Sequence, residues 1–332
     1  MFTGPLYFLY KIISTINLAE ALQEQFPADH FVPIYWMATE DHDFDEINYF
    51  NFNNKKIQWK RNDGGAVGHF STDGLKEVFE QFSAALGTTR NADFLRDLFS
   101  KGYLEHNTLT EATRYIANQL FAKYGLVIVD GDDPQLKQLF APFVAQELQN
   151  QVSYKAVTNT IKELEKNYKV QVNPREINLF YLSEDSRERI VFENGIYKVN
   201  NTKITFSKEE ILEELKEKPQ LFSPNVIMRP LYQEVILPNL AYIGGGGELA
   251  YWLQLKEYFN TVSVPFPVLV LRNSVQVISS KQQKKIDNLS ISTVEIVFKK
   301  EDFMKVENHV NSDIEFNFFK CKTLVRPTVL YC

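Results

Sequence analysis

Apolar positions along this chain follow two alternating patterns: short unbroken runs, and longer stretches with a period near 3.6. That alternation predicts buried strands between amphipathic helices, an α/β architecture. The first helix is expected from Pro5 to Phe26, with Thr3 or Gly4 as cap and Pro27 as stop. Its N-terminal half, LYFLYKII, is apolar on nearly all sides and is expected to be buried. Tyr7, Lys11 and Ser14 fall on one face of it, at spacings of four and three, as a polar stripe that needs partners from the structure or from a ligand. The run FVPIYWMAT then reads as a fully buried strand ending in an acidic turn. Patterned runs from Ile47 to Phe70 predict a hairpin or two, and helices follow near 73–86 and 91–101. A clearer helix runs from Thr108 to Tyr124 with Gly125 as its stop, and it leads into the strand LVIVD. Pro134 opens the next helix, which Pro142 is expected to kink.

Between 131 and 222 the pattern changes. A Lys/Glu-rich helix (Val152 to Tyr168) precedes short strands around INLFYL, RIVFE, GIYKV and KITF, with Glu-Asn-Gly and Asn-Asn-Thr as turns. Ser207 and Glu210 form a capping box for a further helix. The α/β pattern then resumes: a helix in PLYQEVILP, a strand in NLAYIGGGG, one amphipathic helix over ELAYWLQLKEYF, and in FPVLVLRNSVQVIS a strand pair or one bent strand. The expected fold is therefore a doubly wound parallel sheet interrupted by an α+β connecting insertion. Its parts are a first core segment at 1–130 with the hairpin near 47–70, the insertion at 131–222, a second core segment at 223–285, and a tail of different character at 286–332.

Composition narrows the function. The 332 residues suffice for about two domains, and 44% hydrophobic with 23% charged residues places the chain among globular rather than disordered sequences. A net charge of -6 argues against a nucleic-acid partner, because phosphate neutralisation needs a basic surface. Two cysteines, Cys321 and Cys332, exclude a disulfide scaffold and fit a reducing cytoplasm. No apolar run suggests a membrane span, and Lys11 breaks what could pass for a signal peptide.

Three segments could carry chemistry at the carboxyl ends of the strands, where open parallel sheets bind ligands. The turn Thr39–Glu46 crowds five carboxylates around His42, which shifts carboxyl pKa values apart and separates acid from base; the bland alternative is turn capping and solvated charge. A divalent cation such as magnesium could take these oxygen ligands, although adjacent residues on extended chain point apart, and no metal ligand is assigned. Gly244, Gly245, Gly246 and Gly247 open a helix and could bring backbone amides to an anion, or could simply make a tight turn with Glu248 on the helix dipole. Arg272 and Asn273, followed by Lys281, could hold phosphate or form a solvated face. Asp130, Asp132 and Asp133 read as helix-capping residues, and His69, His106 and His309 receive no role.

The segments GPLYFLYKIISTINLA, VPIYWMATEDHDFDEINYF, RPLYQEVILPNLAYIGGGGELAYWLQLK and PVLVLRNS closely resemble the bacillithiol-biosynthesis cysteine-adding enzymes, the BshC family. The resemblance covers Phe2 to about Leu289. It implies a Rossmann-like core similar to class I aminoacyl-tRNA synthetases, and a ligase that joins cysteine to glucosaminyl malate through an amide. ATP or another nucleotide is implied by the fold alone. The resemblance also implies a strand with a Thr-Gly-His-Gln-like turn before Phe2, and a coiled-coil domain, mostly absent here, through which full-length members form homodimers. By that comparison the chain is expected to be truncated at both ends. On this reading Glu40, Asp41 and His42 are the acid, base or amine-positioning groups. Tyr7, Lys11, Ser14, Gly244–Gly247, Arg272, Asn273 and Lys281 bind substrate or nucleotide. The rival readings are a synthetase-like nucleotidyltransferase of other specificity and a non-catalytic binding remnant.

Overall fold

The computed structural model describes residues 6–292. Thr3, Gly4, Pro5, His309, both cysteines and most of the 286–332 tail lie outside the described residues. The chain divides into two compact units, 1–274 and 275–332.

Helix α1 (Tyr7–Gln25) buries Phe8, Ile12 and Ile16, a stripe at spacings of four. Leu6, Tyr7 and Ile13 stay exposed, so this helix is buried on one face and not, as its composition suggests, nearly all round. Strand β1 (Ile34–Met37) leads through the acidic turn into the one-turn helix α2 (Phe44–Ile47). A single hairpin follows, β2 (Tyr49–Phe52) with β3 (Lys55–Gln58). Its turn residues, Asn53 and Asn54, both have positive φ (49° and 62°), the backbone a two-residue hairpin turn requires. Helices α3 (Leu75–Ala85), α4 (Arg90–Leu104) and α5 (Leu109–Phe121) pack with this hairpin around Trp59, Phe70, Leu75 and Ile116. A Thr108–Glu111 capping box starts α5, and left-handed Gly125 ends the 3-10 turn that extends it.

Strand β4 (Val127–Asp130) pairs in parallel with β1, Met37 lying opposite Asp130. Only Met37 of β1 is fully buried, a departure from the buried strand that its apolar run suggests. The reason is that β1 borders an open cleft on the side away from β4, so its remaining residues are only partly covered.

Next come α6 (Pro134–Asn150), which continues through Pro142 as one helix, and α7 (Val152–Leu164). Buried Glu147 of α6 accepts hydrogen bonds from the Ser153 and Asn178 backbone amides and from the Ser153 hydroxyl, fastening α7 and the chain that follows to α6. The middle segment forms a five-stranded antiparallel sheet from β5 (Leu179–Leu182), β6 (Arg187–Glu193), β7 (Ile196–Val199), β8 (Thr205–Phe206) and β9 (Phe222–Pro224), in the order β8-β7-β6-β5-β9. Helix α8 (Lys208–Glu217) starts at the Ser207–Glu210 capping box. Strand β9 has no counterpart in the sequence pattern: it is three residues long and pairs at the sheet edge, where Pro224 can be tolerated.

Helix α9 (Arg229–Ile236) leads to β10 (Ala241–Gly244) and α10 (Gly246–Leu253). The single helix expected over ELAYWLQLKEYF is in fact two, α10 and α11 (Lys256–Thr261). Gln254, at the break, is buried and uses its side-chain amide to bond Gln171 N, Val172 N and Val172 O, which fixes the chain there. Strand β11 (Val268–Leu271) pairs in parallel with β10. The expected second or bent strand after it is not formed among the described residues: Val275 and Val277 are exposed, and no described strand pairs with them. In the second unit the described residues include α12 (Ser280–Asn288), capped by Ser279.

Candidate functional site

The carboxyl ends of β1 and β4 bring the acidic turn onto the loop 130–133 that starts α6. Glu40 and Asp132 are both buried, and Lys137, from the second turn of α6, sits between them. Lys137 Nζ lies 2.9 Å from Glu40 Oε2, an ion-pair contact more than a well-aligned hydrogen bond. It also donates to Asp132 Oδ1 and to the Gln220 carbonyl at 3.0 Å. Burial pulls the Lys137 ammonium down, but the two carboxylates outweigh it and hold the group above its usual range. For Asp132, burial pushes up, and the His69 and Lys137 partners reverse that, leaving it below the usual carboxylate range.

Asp132 Oδ2 also lies 2.6 Å from His69 Nε2. The turn that carries His69 is strapped to the acidic turn by two backbone hydrogen bonds, Val67 N to Asp41 O (2.7 Å) and Gly68 N to Thr39 O (2.8 Å). Gly68 is required for this approach, because a Cβ there would stand 2.5–2.7 Å from Thr110 Oγ1 and from the Cβ and carbonyl oxygen of Thr39. The Thr39 hydroxyl itself donates to Asp130.

From the opposite side, β6 delivers Arg187. Its guanidinium stacks on Phe180 (4.1 Å), donates to Ser223 Oγ (2.9 Å) and Pro224 O (3.1 Å), and reaches His42 Nδ1 at 3.0 Å and Asp41 Oδ1 at 3.5 Å. A guanidinium only donates, so Nδ1 of His42 is the acceptor and its proton is assigned to Nε2. The crowded carboxylates are thus answered by Lys137 and Arg187. Asp45, further along, accepts from the Asn48 side chain.

A second polar wall forms at the carboxyl ends of β10 and β11. Lys11 pairs with Glu248 (2.6 Å) and donates to the Tyr242 hydroxyl (3.2 Å), which itself donates to Glu248 (2.8 Å). The other Glu248 oxygen accepts from Gly245 N–H at 2.8 Å, so that amide of the glycine run is engaged within the chain. Burial pushes Glu248 up, but Lys11 and these hydrogen bonds hold it below the usual carboxylate range. Arg272 lies over the Tyr7 ring (5.3 Å), and its backbone N–H meets Gly244 O at 2.8 Å. Ser14 Oγ accepts from Asn273 N–H at 3.3 Å. Gly246 and Gly247 face open space. Beside this second wall lies a cleft of about 310 Å³, bordered by β1, β10 and α1, with Lys11 and Arg229 among its lining; Glu40, Asp41 and His42 do not line it.

The structure therefore gathers Tyr7, Lys11, Ser14, Gly244, Gly245, Arg272 and Asn273 at one wall, and Glu40, Asp41 and His42 at the other. Lys281 belongs to the second unit, in α12. Sequence reasoning missed His69, Asp132, Lys137 and Arg187. Lys137 had a legible signal: it falls on the same helical stripe as buried Phe140, Val144 and Leu148, so it had to be buried and paired. Arg187 had none, because His42 is 145 positions away.

Parallel strand pairs flanked by helices, with charged groups converging at the strands' carboxyl ends, define a Rossmann-like α/β domain. Residues 1–273 match the family described as "Bacillithiol biosynthesis BshC, N-terminal Rossmann-like domain", and the chain belongs to that family. A relative from Flavobacterium johnsoniae is 54% identical over 331 residues, covering 100% of this chain and 62% of the relative. One from Christiangramia forsetii is 56% identical over 323 residues, covering 96% and 60%. One from Bacillus cereus is 30% identical over 341 residues, covering 97% and 62%. All three carry the name "Putative cysteine ligase BshC". The chain thus spans about three-fifths of the length of these relatives. Among the described residues no helix is long and apolar enough to cross a membrane.

Proposed function

We propose that this chain is the Rossmann-like part of a cytoplasmic ligase that joins cysteine to glucosaminyl malate through an amide, the last step of bacillithiol formation. The observation that carries the reading is the paired-charge site at the β1 and β4 carboxyl ends, in a chain so close to relatives named as cysteine ligases. Amide formation needs an activated carboxyl, a neutral amine, and donors for developing negative charge. The Nε2–H of His42 and the Arg187 guanidinium supply donors, while Asp41 offers a carboxylate to an amine. Lys11, Arg229 and Arg272 cluster at the second wall with Glu248, and Glu234 lies near Arg229; the surplus of cations over ionised carboxylates fits an anionic group such as malate or a nucleotide phosphate. A nucleotide there would activate the carboxyl; this chain's residues would orient it. Longer members are proposed to work as homodimers through their coiled coil.

The test is to incubate the complete gene product with cysteine, glucosaminyl malate and ATP and to follow the thiol product by mass spectrometry. Product formation that is lost on Asp41→Asn and His42→Ala supports the reading. No product, with calorimetric binding of ATP or cysteine alone, would favour a binding remnant; product from another amine would favour a ligase of other specificity.

A further inference from the structure

We infer that His69, oriented by Asp132 and Lys137, is the base that takes the amine proton as the amide forms. The inference rests on the ligase reading above and adds a residue to its site. Each of the three acid-base groups named above, Glu40, Asp41 and His42, already has a partner within the chain. Glu40 is paired with Lys137, Asp41 accepts from His42 N–H and faces Arg187, and the Nδ1 lone pair of His42 is taken by that same guanidinium.

His69 is different. Its Nε2 is held 2.6 Å from Asp132 Oδ2, while the side chain is 67% exposed and its Nδ1 has no partner among the described residues. Asp132 is only 7% exposed and is fixed at its other oxygen by Lys137, so it can neither turn away nor be replaced by water. A buried carboxylate behind an imidazole selects one tautomer, here Nε2–H toward Asp132, and stabilises the imidazolium once a proton arrives. The groups facing the ring are Asp132, Asp130 and Lys137. The hydrogen bond to Asp132 raises the imidazole's pKa, with partial burial and the lysine opposing it.

The two backbone hydrogen bonds from Val67 and Gly68 hold the short turn that ends in His69 against the turn that carries Asp41 and His42. In the step, the amine nitrogen attacks the carbonyl carbon of an acyl phosphate or acyl adenylate. The N–C bond forms as the C–O bond to the phosphoryl oxygen breaks, and that oxygen leaves with the electron pair as a phosphate anion. The surplus N–H proton passes to His69 Nδ1 and then to solvent. Asp132 and Lys137 are positioning residues.

The experiment measures amide formation by the complete gene product across pH, with His69→Gln, His69→Ala and Asp132→Asn. His69→Gln is expected to lower kcat by about 10²–10³-fold with KM little changed, and to abolish the acid limb of the pH profile. Asp132→Asn is expected to lower kcat and move that limb to lower pH. Added imidazole is expected to restore rate to His69→Ala. An unchanged rate and acid limb in His69→Gln, or no imidazole rescue of His69→Ala, overturns the inference while the ligase reading stands. If the wild type forms no amide, both fall.

Discussion

Lys137 lies with its ammonium between the carboxylates of Glu40 and Asp132, all three nearly out of water. Removing the cation alone strands two buried anions, which is far costlier than removing an exposed ion pair. Lys137→Met is therefore expected to destabilise the protein by about 3–5 kcal/mol in denaturant unfolding, and Glu40→Gln in the same background to recover part of that loss. Glu234 gives a pH signature. Burial pushes its carboxyl up to about 7, against hydrogen bonds from Asn239 and Gln233 and the nearby Arg229. The unfolded chain ionises it near 4.5, so the folded state favours the neutral acid. That contribution is fully present below about 4.5 and is lost as pH rises through about 7. Melting of wild type and Glu234→Gln across this range should show the wild type losing stability relative to the variant as pH rises. Asp132 runs the other way: its depressed pKa contributes stability at neutral pH that disappears on acidification.

At the scale of elements, the break between α10 and α11 is the clearest case of tertiary context overriding a local pattern. The apolar spacing of ELAYWLQLKEYF suits one helix, yet the buried Gln254 amide satisfies the backbone of Gln171 and Val172. Gln254→Leu removes those part-buried hydrogen bonds, and a loss of about 1–3 kcal/mol is expected in thermal or urea unfolding. Elements with local causes were legible in advance: the helix start at Thr108, the capping box at Ser207, the Gly125 stop and the Asn-bearing hairpin turns all depend on neighbours within a few residues. Strand β9 and the pairing of His69 with Asp132 were not, because each depends on a partner dozens of residues away.

For the whole molecule, Arg187 is the side chain that ties the inserted antiparallel sheet to the acidic turn of the parallel core. Its hydrogen bonds to Ser223 and Pro224 hold it to its own module, while its hydrogen bond to His42 and its ion-pair contact with Asp41 cross to the other. Arg187→Gln is expected to lower kcat/KM for amide formation by about 10²-fold, the scale seen when a charge-assisted donor is removed from a site. A stability loss of only about 1–3 kcal/mol in denaturant unfolding should accompany it, because one charged hydrogen-bonding group is lost and the core is untouched. Equal activity with lowered stability would mean that Arg187 only fastens the modules.

The sequence by itself determined the alternation of helices and strands, the inserted antiparallel module and the acidic turn at a strand's end. Periodicity, caps and turn residues act within one or two turns of chain, so a linear reading can follow them. Tertiary structure alone decided which charges meet. The turn's carboxylates read as a crowded anionic cluster, and the fold answers them with Lys137 and Arg187. His69, which had no partner at any telling spacing, acquires one through Asp132. Burial of a charge is tolerated only beside its opposite, and the opposites here are brought together by sheet pairing and helix packing rather than by proximity along the chain.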